Sequence, residues 1–289
     1  MTRALVFGAS GQIGRFLLPL LQEAGIEIEA VSRRLHEATS STRWTQLDLF
    51  GQGDVMHAPD WLFSVGPLDG AMAWLQRSAK TPARVIAFSS TSAASKAQSP
   101  DPAERALSQH LEEQERALID WCEQRNIGWT ILRPTLIYGA GVDRNLTRIA
   151  HLAQRFGVMP LPRGATGLRQ PVHAQDLAIC AMAAAMRPAS PSKRYDLPGG
   201  ETLSWREMVR RTTACLTPAP QVLTLPDVAF AITARLGLLR DFGPGVIARL
   251  RQDLVFDIGP AMVDLAYAPR PFVPRADMFG IGIQMEKPA

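Results

Sequence analysis

Short apolar runs alternate with longer amphipathic stretches along the first two-thirds of this 289-residue chain, the rhythm of strands and helices in a parallel, doubly wound sheet. The runs Ala4 to Phe7, Glu27 to Val31, Thr42 to Gln46, Trp61 to Val65, Arg84 to Phe88 and Trp129 to Leu132 are predicted strands. Between the first two, Ile13, Phe16, Leu17, Leu20 and Leu21 recur at i, i+3, i+4, i+7 and i+8, which makes one helical stripe against a sheet. Pro19 interrupts that stripe, removes a helix hydrogen bond and predicts a kink. The stretch Leu47 to Asp60, with Gly51, Gly53 and Pro59, leaves barely enough room for a full crossover helix and predicts a trimmed crossover. Ala103 to Gln124 predicts a long helix with Leu107, Leu111, Leu118 and Cys122 on one face.

After about Pro188 the alternation gives way to short pieces rich in Pro and Gly. Ser204 and Glu207 form an S-x-x-E capping box that starts a helix through Cys215, and Leu236 to Pro244 and Pro269 to Pro274 read as loops. The expected architecture is α/β: a Rossmann-like doubly wound parallel sheet over residues 1–160, with a smaller C-terminal substrate-covering part over 161–289, some of whose segments return to the core.

Composition narrows this little. Hydrophobic residues at 46% and charged residues at 20% exclude collagen-like, coiled-coil and disordered classes. Against 27 acidic residues, 31 basic ones leave a net charge of +4 with no long basic run, so nucleic acid is not an expected partner. Cys122, Cys180 and Cys215 form no C-x-x-C pair and fit a reducing cytoplasm. The apolar start is too short for a signal peptide, and Leu177 to Met186 too short for a membrane span. His36, His57, His110, His151 and His173 are scattered, so no metal site is expected, and no G-x-S-x-G elbow marks a serine hydrolase. His173 and Asp176 read as fixing the start of a helix from Gln175.

The chemistry begins at Gly8-Ala9-Ser10-Gly11-Gln12-Ile13-Gly14, between the first strand and the first helix. Glycines there let backbone N–H groups approach a pyrophosphate, whose charge a helix N-terminus stabilises. Dinucleotide-binding enzymes that use NAD place an acid at the end of the second strand, yet here the chain reads Val31-Ser32-Arg33-Arg34. A guanidinium fork suits a 2′-phosphate, so Ser32, Arg33 and Arg34 point to NADP(H) rather than NAD(H).

The G-x-x-G-x-x-G spacing resembles the short-chain dehydrogenase/reductase superfamily, particularly its extended branch of nucleotide-sugar epimerases and dehydratases. Thr130-Ile131-Leu132-Arg133-Pro134 with Ile137-Tyr138-Gly139, Gln170-Pro171-Val172-His173-Ala174-Gln175-Asp176-Leu177, Phe88-Ser89-Ser90-Thr91-Ser92, and Tyr195 to Val209 are similar to further segments of it, so the match covers roughly residues 1–210. The resemblance adds Asp48, Leu49, Val65, Gly66 and Pro134 to the cofactor set and makes Thr91 the hydroxyl that holds a substrate oxygen. It also implies a Tyr-x-x-x-Lys pair on the helix from Ala103, where the tyrosine exchanges a proton and the lysine lowers its pKa.

That pair is missing, because the helix contains neither Tyr nor Lys, and Tyr138, Tyr195 and Tyr267 are followed four residues on by Val142, Gly199 and Pro271. Thr91, Ser90, Lys96 and Tyr138 remain near the expected centre, each with a structural alternative: turn closure for the hydroxyls, a solvated loop for Lys96, packing for Tyr138. Two functions are therefore expected. One is an NADP(H)-dependent oxidoreductase or epimerase-like enzyme acting by an atypical mechanism on a small polar carbonyl or hydroxyl compound or a nucleotide sugar, the substrate lying at the carboxyl ends of the strands. The other is an NADP(H)-binding redox regulator or assembly subunit without turnover. A homodimer is left open.

Overall fold

A computed structural model describes residues 2–39, 41–187, 192–230 and 246–282, side chains 246–248 excepted. The predicted loop Leu236 to Pro244 lies outside them. The chain divides into two compact units, the first built from Met1–Thr135, Ala174–Leu197 and Asp257–Ala268, the second from Leu136–His173, Pro198–Phe256 and Pro269–Ala289. The first passage between units thus falls at 135/136, where the sequence pattern placed a boundary near 160.

The first unit is a seven-stranded parallel sheet with helices on its faces. Its strands are β1 (Arg3–Phe7), β2 (Glu27–Ser32), β3 (Thr42–Gln46), β4 (Trp61–Ser64), β5 (Arg84–Phe88), β6 (Gly128–Pro134) and, beyond the second unit's strands, β11 (Lys193–Leu197), in the order β11-β6-β5-β4-β1-β2-β3. The chain starts in the middle, runs out through β2 and β3, then returns to the other side of β1 at β4. The β1/β4 junction is therefore the point where strand order reverses, the place such sheets offer to a ligand.

Helix α1 (Gly14–Glu23) buries Leu17 and Leu21 and packs on α6 (Ala174–Met186), whose alanine-rich sides allow close approach. Pro19 stands on the exposed face of α1. On the opposite face of the sheet, Phe7, Leu62, Ile131 and Leu118 form one core with α2 (Leu68–Arg77), where Trp74 is fully buried edge-on to Phe7 at 5.2 Å. No helix fills 47–60. That stretch is instead tied down by Asp54, whose carboxylate accepts from Trp74 Nε1 at 2.8 Å and from the Ser78 hydroxyl at 3.0 Å and pairs with Lys80 at 3.3 Å.

The long helix is α4 (Pro102–Glu123), started by the Asp101 side chain accepting from the Ala103 N–H with Pro102 in the first turn. Its buried face is Ser108, Glu115, Leu118, Trp121 and Cys122, while Leu107 is 41% exposed, which corrects the apolar stripe read from the sequence. The stripe is displaced because a charge belongs to it. Glu115, fully buried, takes both Nε and Nη2 of Arg133 at 2.8 and 2.5 Å and Arg194 at 3.1 Å, joining α4 to β6 and β11.

Among its described residues the second unit holds three two-stranded ladders. β7 (Ile137–Tyr138) pairs in parallel with β10 (Val172–His173), β8 (Val158–Pro162) in parallel with β13 (Gln221–Leu225), and β9 (Leu168–Arg169) antiparallel with β12 (Leu203–Ser204). Helices α5 (Leu146–Phe156) and α7 (Trp205–Ala214) pack together over Tyr138, Ile149, Met208, Val209, Phe272 and Phe279. The predicted capping box is half formed: Ser204 accepts from the Glu207 N–H at 3.1 Å, but the Glu207 carboxylate turns to Arg210 and Arg211. Those guanidiniums bring its pKa down to about 2.

Candidate functional site

The three glycines after β1 do different work. Gly8 has φ +78°, and a Cβ there would stand 2.7 Å from the Gly66 amide nitrogen, so only glycine lets the β1 turn meet the loop after β4. A Cβ on Gly14 would run into the Ala9 carbonyl, which makes this glycine the close contact between α1 and the turn. Gly11 donates to the Gly8 carbonyl at 2.8 Å, and a Cβ on it would touch that oxygen at 3.0 Å and nothing else closer than 3.9 Å. Its outer side is open.

Several polar groups around this turn have no partner among the described residues. The Gln12 and Ile13 N–H groups find no acceptor among the described residues, and Gln12 Oε1 is buried without a donor. The hydroxyls of Ser64, ending β4, and Ser89, following β5, are buried and equally unmatched. Buried polar atoms are ordinarily hydrogen-bonded, so a row of them at the carboxyl ends of adjacent strands fits a polar ligand such as a dinucleotide. Ser10 is exposed, and its carbonyl accepts from Arg15 Nε at 3.3 Å. The Val65 N–H continues the ladder to the Phe7 carbonyl at 3.0 Å.

At the end of β2 the buried Ser32 hydroxyl accepts from the Arg34 N–H and lies 3.1 Å from His36 Nε2, while the His36 ring stacks on Trp44 at 4.1 Å. Arg33 and Arg34 point their side chains outward, and neither guanidinium bonds a described residue. Asp48 accepts from the Phe50 N–H at 3.1 Å, closing a turn, and the Leu49 carbonyl accepts from Arg77 at 2.7 Å.

The residues expected near the chemistry are differently placed. Thr91 is 6% exposed, and both its N–H and its hydroxyl donate to the Pro134 carbonyl at 3.2 Å, fastening β5 to β6. Ser90 accepts from the Ser92 N–H at 3.1 Å. Tyr138 belongs to the second unit, buried edge-on to His173 at 5.2 Å and Phe272 at 4.9 Å. Lys96 is ion-paired with Glu104 at 3.3 Å. Sequence reasoning passed over Ser64 and Glu104 and quoted Ser89 only as part of a motif; the signal for the serines was their position, Ser64 ending β4 and Ser89 directly following β5.

Among the described residues no cluster of His, Cys, Asp and Glu could hold a metal, and no helix is long and apolar enough to cross a membrane. No family model and no curated protein sequence matches the chain. Solved structures do. The chain is similar to MoeE5 in complex with UDP-glucose and NAD, at 18% identity and TM-score 0.70 over 94% of this chain and 95% of that one. It is similar to UDP-glucuronic acid 4-epimerase from Bacillus cereus in complex with NAD, at 14% identity and TM-score 0.68 over 94% and 95%. It is also similar to the Bordetella bronchiseptica enzyme WbmF in complex with NAD+ and UDP, at 15% identity and TM-score 0.67 over 94% and 88%.

All three of those proteins hold NAD, which overturns the expectation that Arg33 and Arg34 select NADP(H). The physical reason is that an exposed guanidinium is not specific to phosphate: its flat face stacks on an aromatic base as readily as its fork takes an oxyanion. With its parallel sheet, its order reversal at β1/β4 and its glycine turn, the chain shares the α/β fold of those three structures.

Proposed function

We propose that the protein binds NAD(H) at the β1/β4 junction and acts as an epimerase-like oxidoreductase on a nucleotide-linked sugar or a related small polar carbonyl or hydroxyl compound, without a Tyr-x-x-x-Lys pair. The observation that carries the reading is the open Gly11 turn flanked by the unmatched Gln12, Ser64 and Ser89 polar atoms. The bound dinucleotide would supply a hydride acceptor and donor. In this reading the turn from Gly8 to Gly14 receives the pyrophosphate, with Ser10 at its rim. Ser32, Arg33, Arg34, Asp48 and Leu49 border the adenosine end. Val65, Gly66 and Pro134 line the approach to the nicotinamide end, and Ser90 and Thr91 shape the wall on which the substrate oxygen rests. The buried thiols of Cys122 and Cys180, each pushed up to about 12 by burial, are inert and unpaired, which supports a reducing compartment such as the cytoplasm.

The test is calorimetric titration with NAD+ and NADH, followed by incubation of the NAD+-loaded protein with UDP-glucose and UDP-glucuronic acid and separation of the 4-epimers. Saturable NAD(H) binding and epimer formation are expected, and absence of NAD(H) binding overturns the reading. A second reading, NAD(H) binding without turnover in a regulatory or assembly role, is supported by the missing pair and by Thr91 being committed to Pro134. NAD(H) binding with no product from either sugar would favour it.

A further inference from the structure

The helix on which the resembled superfamily keeps a tyrosine and a lysine carries neither, and its first turn presents a paired carboxylate instead. Glu104 Oε1 lies 3.3 Å from Lys96 Nζ, its Oε2 accepts from the Ser99 hydroxyl at 2.6 Å, and its side chain keeps 14% exposure. Lys96 closes α3 (Ser92–Ser95), the short helix that Thr91 opens directly after β5. Arg105, the next residue of α4, steadies the same loop by donating to the Ser99 carbonyl at 2.7 Å.

The orientation of α4 follows from a second contact. Ser108, one helical turn beyond Glu104, is buried and donates to the Ala93 carbonyl of α3. Residues four apart share a helix face, so Glu104 stands on the face of α4 that is turned to α3. Glu104 and Ser108 even have the i, i+4 spacing of the absent pair. A brace between a loop and a helix could be neutral; this one keeps a carboxylate with both oxygens aimed and part of its surface open.

We propose that Glu104 is the proton-transfer group of this protein, with Lys96 and Ser99 as positioning residues. The proposal rests on the NAD(H) reading above. In the oxidising direction the substrate C–H gives its hydride to the NAD+ nicotinamide while the hydroxyl gives its proton to the Glu104 carboxylate, leaving C=O and NADH. In the return direction the carboxylic acid gives that proton back to the oxygen as the carbon regains hydride. No other oxidant or reductant is needed.

The experiment uses the full chain labelled with glutamate carrying carbon-13 at the side-chain carboxyl, with E104Q identifying the Glu104 resonance. Calorimetry first establishes NAD+ binding. The Glu104 resonance is expected to shift with NAD+, whose nicotinamide ring is positively charged, and to shift less with NADH. A brace out of reach of the nicotinamide would respond to both forms alike or to neither. E104Q is expected to keep NAD+ affinity and to lose about 100-fold or more in UDP-glucose epimerisation, the scale of general acid–base catalysis. Should E104Q fail to fold, E104D removes the same resonance and shortens the reach, and the same loss is expected. NAD+ binding with a stationary Glu104 resonance, or one that responds equally to NAD+ and NADH, overturns the proposal and leaves the cofactor reading standing. Absence of NAD+ binding removes the cofactor reading itself. If the wild type turns over neither sugar, the resonance alone decides.

Discussion

At the residue scale, one turn holds three glycines that would answer differently to the same substitution. Gly14→Val drives a side chain into the Ala9 carbonyl, and Gly8→Val adds a strained φ of +78° to a clash with Gly66, so both should lose folded protein. Gly11→Val meets only the Gly8 carbonyl, which must yield by a few tenths of an ångström, and should melt closer to the wild type than the other two while losing NAD(H) affinity in calorimetry. Retained affinity in a folded Gly11→Val protein would remove the turn from the cofactor site. Thr91 makes a second contrast. Its hydroxyl bonds Pro134, so Thr91→Val should cost about 1 kcal/mol in denaturant unfolding, the net worth of one hydrogen bond. If turnover exists and kcat/KM stays at the wild-type value in that variant, the hydroxyl belongs to the strand ends and not to the substrate. The glycine turn was legible in the sequence because its constraint is local. The partners of Thr91 were not, because Pro134 is 43 residues away and only the β5/β6 pairing brings it near.

At the element scale, Asp54 does what a crossover helix would otherwise do, holding 47–60 against α2. Burial alone would raise its pKa, but hydrogen bonds from the Val55 N–H, Trp74, Ser78 and Lys80 outweigh it and hold the carboxyl below the usual 3.8. A carboxyl depressed on folding contributes stability that is full above its unfolded value and lost as pH falls through its folded one. Asp54→Ala should therefore cost about 1–3 kcal/mol at pH 7, chiefly by stranding the Trp74 N–H, and the gap from wild type should narrow in unfolding titrations below pH 3.8. A gap that stays constant into acid would show that the charge contributes nothing. The α4 face shows where sequence periodicity stops. Leu118 and Cys122 are buried as their spacing predicts, yet Leu107 is exposed because the seam runs through Ser108 and Glu115. A glutamate becomes a core residue only when Arg133 and Arg194 arrive from two other strands, which periodicity along one helix does not register. Glu115→Ala leaves Arg133 partly buried without its partner and should destabilise by about 3–5 kcal/mol in chemical unfolding.

At the scale of the whole molecule, the first unit is assembled from three separated stretches of chain, and that decides what can be cut from it. Six strands, α1 and α4 were legible in residues 1–135 as short runs or stripes, whereas α2 was not read. Two later pieces were expected only as unspecified segments that return to the core. β11 pairs with β6 from Lys193↔Thr130 to Leu197↔Pro134, and α6 covers α1. Both follow the excursion 136–173 into the second unit, so proximity in sequence gives no sign of where they return. A fragment of residues 1–160 has the glycine turn and six of the seven strands but lacks α6 and β11. It would expose the aliphatic side chains by which α1 packs on α6, and the edge of β6 with the unpaired N–H and C=O groups that β11 normally takes up. Each such aliphatic side chain gives up roughly 1.5–3 kcal/mol when left in water, against a whole-domain stability of about 5–15 kcal/mol. The fragment is therefore expected to bind an apolar dye, to unfold without a cooperative transition and to bind no NAD(H), whereas the full chain is expected to bind the dinucleotide and to melt later in its presence, by about 2.7 kcal/mol of added stability at a hundredfold excess over Kd. A cooperatively melting, NAD-binding 1–160 fragment would show that the sheet closes without its last strand, and that residues 174–197 serve the second unit's function more than the first unit's fold.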